Sequence, residues 1–286
     1  MRIRSGLARS VHLSHTTVRV AAGLSLVAGI SAGTITLVQG EALRTAVEHG
    51  VLAGGAGFIA WAITREIAPD HPMTAGAAGA IAPFLLIAGP PDLLAAGLVI
   101  LVARIIAGTT GRDLTPIDLA AVGIGAALVS FRQWGVAVAV ALALAPAVSS
   151  VWARGSRSLM IVASGATLAA VSVVALFAGH DPWSQPDGLA RGLFVAGLAA
   201  GLVCVWVVPP VTSTVDSRRG GVVLTHRVRL ARVAALVTGV STALWAGGDG
   251  VLALGPAWTA LAVTAVSSVA TLGEAGISRR PVPPTL

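Results

Sequence analysis

The sequence predicts an all-α, polytopic integral membrane protein. Of its 286 residues, 55% are hydrophobic and only 11% are charged, whereas soluble domains contain about 25% charged residues. The apolar residues also form long runs that are separated by short polar stretches. These observations exclude a soluble enzyme, a disordered chain and a coiled coil. The single cysteine, Cys204, excludes a disulfide framework, a four-cysteine zinc site and an iron–sulfur cluster.

Ten apolar runs are candidates for transmembrane helices, which need about 20 mainly apolar residues. None has the strict alternation of a barrel strand, and a helix satisfies its own backbone polar groups in lipid. The predicted helices are 18–38, 46–63, 74–89, 93–108, 115–130, 134–152, 159–178, 189–208, 228–246 and 251–272. They divide the chain into an N-terminal tail (1–17), a transmembrane domain (18–272) and a C-terminal tail (273–286).

The first run is predicted to be a retained helix and not a cleaved signal peptide. Arg2, Arg4 and Arg9 precede it, as basic residues precede the core of a signal peptide. The apolar stretch from Val20 to Val38 is, however, longer than a signal core of about 7–15 residues.

The connection between the second and third runs is the densest polar stretch of the chain. Its charged and turn-forming residues are Arg65, Glu66, Pro69, Asp70, His71 and Pro72. Such a stretch could form a cytoplasmic gate or a docking loop. We favour a rigid turn, because the two prolines stop helices, Asp70 favours turns and Arg65 holds the cytoplasmic face.

Pro83 lies near the centre of the third run. A proline inside a membrane helix removes a backbone hydrogen bond, which neighbouring helices or water must replace. The third helix is therefore predicted to be the mobile, gating element.

Arg104 and Asp118 are the charged residues nearest to the membrane interior. Thr115, Pro116 and Asp118 also have the spacing of an N-cap, a first-turn proline and a variant capping box. Two arrangements are open. Because the link between the fourth and fifth helices is short, Arg104 and Asp118 could form an ion pair. Alternatively, Arg104 reaches the headgroups and Asp118 only caps its helix.

Hydroxyl groups and paired small residues provide the other interior signals. The hydroxyls either line a solute path or bond within their own or a neighbouring helix. They belong to Ser31, Thr34, Thr36, Ser164, Thr167, Thr259, Thr264, Ser267 and Ser268. Small residues at four-residue spacing allow close helix approach. These pairs are Gly29/Gly33, Gly50/Gly54 and Gly197/Gly201.

No metal or cofactor site is predicted. Carboxylate and imidazole side chains outside the membrane could in principle bind a metal, but no ligand spacing such as His-Glu-x-x-His occurs. Scattered polar loop tips are the simpler interpretation. These residues are Glu41, Glu48, His49, Asp92, His180, Asp181, Asp187 and Asp249.

The arginine positions predict the orientation. All 19 basic residues are arginines, and an N-terminus in the cytoplasm places 16 of them inside and 3 outside. Since cytoplasmic loops carry the excess of basic residues, both termini are predicted to be cytoplasmic. The chain is rich in Ala, Gly, Val and Arg and contains no Lys, Asn or Tyr. This bias is typical of a GC-rich genome, so we expect the cell membrane of a GC-rich prokaryote.

Ten helices with both ends inside resemble, in number alone, the layout of drug/metabolite-type transporters, which consist of inverted repeats. The tetrapeptides 18–21 and 228–231 are also similar, and 50–53 is identical to 250–253. Inverted repeats should show matched interruptions, but Pro83 in the third run has no proline counterpart in the eighth.

Two functions are open. The first is a transporter or permease for a small solute, which the helix number and the prolines within spans favour. The second is a non-catalytic membrane subunit that scaffolds an envelope or secretion complex. No enzyme is predicted, because prenyl-transfer aspartate clusters, a Gly-x-Ser-x-Gly elbow and histidine boxes are missing. The expected partners are the lipid bilayer and other membrane proteins or a second copy, but no nucleic acid.

Overall fold

The computed structural model describes residues 5, 7, 16–153, 157–177, 188–213 and 223–278. Over these ranges the chain is helical and contains no strand, which confirms the all-α prediction. The helices are α1 (Thr16–Val38), α2 (Leu43–Ile67), α3 (Pro72–Ile81), α4 (Leu93–Ala107), α5 (Pro116–Ser130), α6 (Gly135–Ser149), α7 (Arg157–Phe177), α8 (Gly188–Trp206), α9 (Thr225–Ala253) and α10 (Gly255–Ser278). Two 3₁₀ segments, Ala82–Ile87 and Ser150–Trp152, extend α3 and α6.

Six of the described segments are long and apolar enough to cross a membrane. They are Thr16–Val38, Leu43–Ile67, Gly135–Trp152, Arg157–Ala175, Gly188–Trp206 and Thr225–Ala253. The third, fourth and fifth runs form shorter apolar helices. With its 3₁₀ extension, α3 is about 27 Å long, because a 3₁₀ segment rises about 2.0 Å per residue and an α-helix about 1.5 Å.

Three boundaries differ from the prediction. Pro83 does not kink one long helix but lies in the first turn of the 3₁₀ segment, where its missing N–H is tolerated. Gly247, whose φ of 59° and ψ of −136° are not helical, follows the predicted end of the ninth helix at residue 246 and so confirms it. A further helical stretch then runs to Ala253, where the prediction already places the tenth helix. The tenth helix therefore begins at Gly255, and it passes the predicted end at residue 272 to reach Ser278.

The centre of the bundle consists of α2, α4, α6, α9 and α10. α9 contacts all four of the others and also α8. α1 packs on α2 and α3, α7 packs on α5 and α6, and α8 packs on α9 and α10. Most side chains of α1 and α7 are exposed and apolar, as expected for helices that face lipid.

Glycines bring α1 and α2 into backbone contact, as the four-residue spacing predicts. A methyl group on Gly29 would lie 2.8 Å from the carbonyl oxygen of Gly50. One on Gly54 would lie 2.9 Å from the carbonyl oxygen of Ser25. Both distances are shorter than a carbon–oxygen contact allows, so the two helices can approach this closely only with glycine at these positions.

Gly197 and Gly201 confirm the same prediction on α8, where they face side chains instead of backbone. Gly197 lies against one face of the Trp258 indole, and Gly239 of α9 lies against its other edge. Gly201 accommodates Leu236. Trp258 is consequently only 5% exposed and fixes α8, α9 and α10 together.

Gly29→Ala is expected to destabilise the protein, and Gly23→Ala is not. At Gly23 of the same helix an added methyl group meets nothing within 4 Å. Alanine there should stabilise the helix by up to about 1 kcal/mol, whereas overpacking at Gly29 should cost about 1–3 kcal/mol. Thermal unfolding in mild detergent measures both changes. Equal effects of the two variants would contradict the backbone contact between α1 and α2.

Candidate functional site

Most buried charged side chains lie together at one end of the bundle, which we call the arginine end. The last turns of α2, α4 and α8 and the first turns of α5 and α9 meet there. The buried or half-buried charged residues of this end are Glu66, Arg104, Asp118, Arg227 and Arg232.

Arg232 of α9 caps two other helices at once. Its Nε donates to the carbonyl oxygen of Ile67 at 2.8 Å, at the end of α2. One terminal nitrogen donates to the carbonyl oxygens of Cys204 at 2.8 Å and Val207 at 3.0 Å, at the end of α8. The last four carbonyls of a helix have no partner within the helix. Arg232, which is 2% exposed, supplies partners where water is absent.

In the part of the chain that the structure describes, helix ends balance the charge of Arg232. Among the described residues, no Asp or Glu lies within ion-pairing distance of its guanidinium. Each helix C-terminus carries about half a negative charge. The ends of α2 and α8 together therefore offset the charge of one guanidinium.

Arg227 caps α4 in the same way. Its Nε donates to the carbonyl oxygen of Ile106 at 2.8 Å, and a terminal nitrogen donates to that of Ile105 at 3.1 Å. Its guanidinium carbon lies 5.0 Å from the centre of the Trp152 ring. A side chain at Gly108 would collide with this guanidinium, and Gly108 also has a positive φ of 65°. Glycine is therefore required at the end of α4 for two reasons.

Glu66 and Arg104 form an ion pair between α2 and α4. The terminal nitrogen of Arg104 lies 2.7 Å from Oε1 of Glu66, and its Nε donates to the same oxygen at 2.8 Å. The second carboxylate oxygen accepts a hydrogen bond from the Thr109 hydroxyl. Arg104 also donates to the carbonyl oxygen of Leu7 at 2.9 Å. Since Glu66 is 1% exposed, the pair is buried on its acidic side.

Of the two arrangements that the sequence leaves open, the ion pair between Arg104 and Asp118 does not form. The prediction assumed that a short connection makes α4 and α5 packed neighbours. The two helices make few contacts, because α6 packs against both of them, and α4 packs extensively on α2 instead. Glu66, in the last turn of α2, is the acid that lies beside Arg104.

Asp118 has the capping role that the sequence predicts. The backbone N–H of Asp118 donates to the Thr115 hydroxyl, and the Asp118 carboxylate accepts from the backbone N–H of Thr115 at 2.9 Å, which completes a capping box. Its other oxygen accepts a hydrogen bond from the Ser5 hydroxyl. Asp118 is 3% exposed, so this helix start is buried.

The polar stretch after α2 forms a turn, and its Asp70 contacts the segment that follows α8. Arg65 donates to the carbonyl oxygen of Pro69 at 3.1 Å. The Asp70 carboxylate accepts from the backbone N–H groups of Thr212 at 2.6 Å and Ser213 at 2.7 Å, and from both hydroxyls. Burial raises the pKa of Asp70, but these hydrogen bonds outweigh it and hold the pKa below its ordinary value. His71 precedes α3 and makes no side-chain cap.

Asp92 is the centre of a second polar cluster at the opposite end, and it is not a loop tip as predicted. Its Oδ1 accepts from the backbone N–H groups at the start of α4, and its Oδ2 accepts from Arg132 at 2.6 Å and from the Trp134 indole at 2.7 Å. Its own N–H donates to the carbonyl oxygen of Ala253. Burial raises the pKa of Asp92, but the bonds from Trp134, from the start of α4 and from Arg132 outweigh burial and lower it.

The interior hydroxyls mostly bond within the bundle. Thr36 and Thr259 donate to carbonyls one turn earlier in their own helices. Thr74 donates to Ser267 at 2.7 Å, which links α3 to α10. Ser164 of α7 accepts from the Ala147 N–H of α6 at 3.0 Å, next to Pro146. These groups hold helices together, and the described contacts do not arrange them along a single path.

Among the seven predicted site residues, Glu66 and Arg104 form an ion pair with each other. The structure brings Asp118 near them through Ser5 and Leu7. The residues that the sequence prediction misses are Arg227, Arg232, Thr109 and Asp92. From the sequence, Arg227 and Arg232 are only counted among the 16 arginines on the cytoplasmic side. Their five-residue spacing inside an apolar run, without a nearby acid, is the signal that could have identified them.

No protein-family model, curated protein or solved structure matches the chain. Among the described residues, no group of three or more His, Cys, Asp or Glu side chains is placed to hold a metal ion. His180, Asp181 and Asp187 lie outside the described residues.

Replacement of Arg232 is expected to unfold the arginine end. Arg232→Met leaves carbonyls of α2 and α8 without partners, and each unsatisfied group costs about 1–3 kcal/mol. Arg232→Lys should retain only part of the stability. A single ammonium group keeps the charge but cannot reproduce the planar set of donors of the guanidinium. Arg229→Met is the control, since Arg229 lies on the same helix but is exposed. Melting temperatures should fall in the order wild type, Arg232→Lys, Arg232→Met. A loss in Arg229→Met as large as in Arg232→Met would refute the capping role.

A double-mutant cycle should distinguish the Glu66–Arg104 pair from an Arg104–Asp118 pair. Glu66→Gln and Arg104→Gln should show an interaction energy of about 0.5–3 kcal/mol, the range for residues in contact. Arg104→Gln and Asp118→Asn should show a smaller interaction, because the structure shows no direct bond between these two described side chains. Chemical or thermal unfolding in detergent provides the four free energies of each cycle. A larger interaction for the second pair would favour direct pairing of Arg104 with Asp118.

Proposed function

We propose that this protein is a multi-pass permease for a small solute in the cell membrane of a GC-rich prokaryote. In this proposal ten helices cross the membrane, both termini are cytoplasmic, and the arginine end faces the cytoplasm. The permease acts without a metal or cofactor and is not an enzyme.

The contacts at the two ends support ten crossings. α2, α4 and α8 end where α5 and α9 begin, at the arginine end. The start of α4, the start of α6 and the link between α9 and α10 meet around Asp92 at the other end. Successive helices that alternate in direction in this way are expected of a chain that crosses the membrane at every helix. The excess of arginine on one side favours that side as the cytoplasmic one.

The observation that carries the permease proposal is the short distance between the two charged clusters. Asp92 and Arg104 stand at opposite ends of α4, twelve residues apart, which corresponds to about 18 Å along an α-helix. The hydrocarbon core is about 30 Å thick. Buried charges at this spacing leave a thinner apolar layer for a solute to cross than the surrounding lipid does. Ionisable residues at such depth are typical of solute pathways.

α3 is the proposed moving element. It is interrupted at Pro83, it changes to the weaker 3₁₀ hydrogen-bond pattern there, and it contacts α10 through the Thr74–Ser267 hydrogen bond. A short, interrupted helix beside the bundle centre is the kind of segment that transporters move.

The alternative is a non-catalytic subunit that scaffolds other membrane proteins. A groove of about 620 Å³ between α1 and α2 favours it. The groove is open, and small and apolar residues such as Gly33, Ala46 and Leu26 line it. A transmembrane helix of a partner or of a second copy could pack there.

Osmotic swelling of proteoliposomes tests the permease. Vesicles with the purified protein are challenged with small neutral solutes, beginning with glycerol, and light scattering records the rate of entry. We expect faster entry than in protein-free vesicles for at least one solute, and an altered rate for Pro83→Ala. Pro256→Ala is the control, because Pro256 has the same first-turn position in α10 but lies outside α3.

Equal entry with and without protein for every solute would contradict the permease proposal. A stoichiometric partner that remains bound during purification in mild detergent would then favour the scaffold. If a solute is found and Pro83→Ala transports it at the wild-type rate, α3 is not the gate.

A further inference from the structure

We infer that the exposed arginines of the arginine end bind the headgroups of anionic phospholipids in the leaflet on that side. These residues are Arg19, Arg112, Arg157 and Arg229. The inference requires that the helices lie in a membrane, but it does not require that the protein transports a solute.

The antiparallel packing of α1 on α2 places Arg19 at the arginine end. Gly29 of α1 lies against Gly50 of α2, and Ser25, one turn earlier, lies against Gly54, one turn later. Continued along both helices, this register brings the first turn of α1, which contains Arg19, beside the last turns of α2.

The other three arginines lie at helix ends that meet at the same end of the bundle. Arg112 is in the link between the end of α4 and the start of α5, and Arg229 is near the start of α9. Arg157 is the first residue of α7. It follows the end of α6, where Ser149 accepts a hydrogen bond from Arg227.

The carboxylates of this end do not neutralise the exposed arginines. Glu66 and Asp118 are buried and bonded within the bundle, and Asp70 accepts its bonds from the segment after α8. Asp113, the neighbour of Arg112, is the one exposed acid among the side chains described at this end. None of the four arginines pairs with a carboxylate of the described residues. This surface therefore has an excess of positive charge.

The opposite end has no such excess. Its described and exposed charged residues are as many acids as arginines, namely Glu41, Glu48, Asp249, Arg44, Arg132 and Arg191. Arg132 is also paired with Asp92. The difference between the two ends lies in the exposed side chains, and it makes one leaflet the place where anionic lipids gather.

The exposed arginines lie at the level where lipid headgroups meet lipid tails. Exposed apolar side chains begin directly after Arg19 on α1, with Val20 and Leu24, and after Arg157 on α7, with Ile161. One phospholipid can therefore contact both parts of such a helix. Its phosphate accepts two parallel hydrogen bonds from a guanidinium, and its acyl chains cover the apolar face. A nucleic acid would satisfy only the arginines.

Two tryptophans at the same end support this level. Trp206, the last residue of α8, is 79% exposed. Trp152 lies at the end of α6 beside the His226 ring and the Arg227 guanidinium. Tryptophan is enriched at the membrane–water interface, where one part of its ring contacts apolar groups and the other contacts water.

Native mass spectrometry of the full chain tests the inference. The purified protein in mild detergent is mixed with equal amounts of phosphatidylglycerol, which is anionic, and phosphatidylcholine, whose ammonium group cancels its phosphate charge. The ratio of the two bound lipids is measured for wild type, for Arg19→Gln and for the combined variant Arg19→Gln, Arg157→Gln and Arg229→Gln. Arg44→Gln is the matched control, because Arg44 is an exposed arginine in the first turn of α2 at the opposite end.

We expect wild type to prefer phosphatidylglycerol, since an arginine at an anionic surface favours binding by roughly fivefold. Arg19→Gln should reduce this preference, and the combined variant should bring the ratio close to one. Arg44→Gln should leave it unchanged, and Arg19→Lys, which keeps the charge, should retain most of it. All variants should remain folded, because the replaced side chains are exposed. Cys204, which is 0% exposed, should accordingly stay unreactive toward a maleimide.

Three results would overturn the inference. They are equal binding of both lipids by wild type, an undiminished preference in the combined variant, and an equal loss in Arg44→Gln and Arg19→Gln. Loss of the preference on addition of inorganic phosphate at constant ionic strength would assign these arginines to free phosphate and would also contradict lipid binding. Solute entry is not measured in this test, so a failure of the permease proposal leaves its result unaffected.

Discussion

The fold depends on hydrogen bonds to the carbonyl groups at helix C-termini that are buried away from water. A helix that ends near the membrane interior leaves four carbonyls without partners. The chain meets this demand with arginines of one central helix, α9, which begins where α2, α4 and α8 end. Arg227 and Arg232 reach three helix ends between them. The guanidinium suits this task because it offers several donors in one plane.

The same arrangement explains how arginines can be buried in a chain with few acids. The sequence contains 19 basic and 12 acidic residues, so carboxylates cannot pair with every arginine. Helix ends provide the missing negative charge, because each C-terminus carries about half an elementary charge. Glu66 pairs with Arg104, where α2 and α4 meet. The position of α9 in the centre of the bundle is thus set by electrostatics as well as by packing.

The length of the apolar runs is sufficient to predict the helices, but not the neighbours of each helix. All ten runs fall on helices, and the Thr115–Asp118 capping box is predictable because its partners are three residues apart. The partner of Arg104 is not, because Glu66 is 38 positions away and reaches it only through the packing of α2 on α4. The break at Gly247 is predictable, because residues 247–250 read Gly-Gly-Asp-Gly and interrupt the apolar pattern between the ninth and tenth runs.

The distribution of these interactions restricts which helices can move. Displacing α9 would break bonds to the ends of α2, α4 and α8 at the same time, and would also disturb the packing of Trp258 between Gly197 and Gly239. α3 is attached differently. It packs on α2, where Gly79 lies against Gly57, and the Thr74–Ser267 hydroxyl pair links it to α10. Because local opening needs less free energy where fewer hydrogen bonds must break, α3 is expected to move before α9. A permease built on this bundle would therefore keep the arginine-capped centre fixed and would open at its edge.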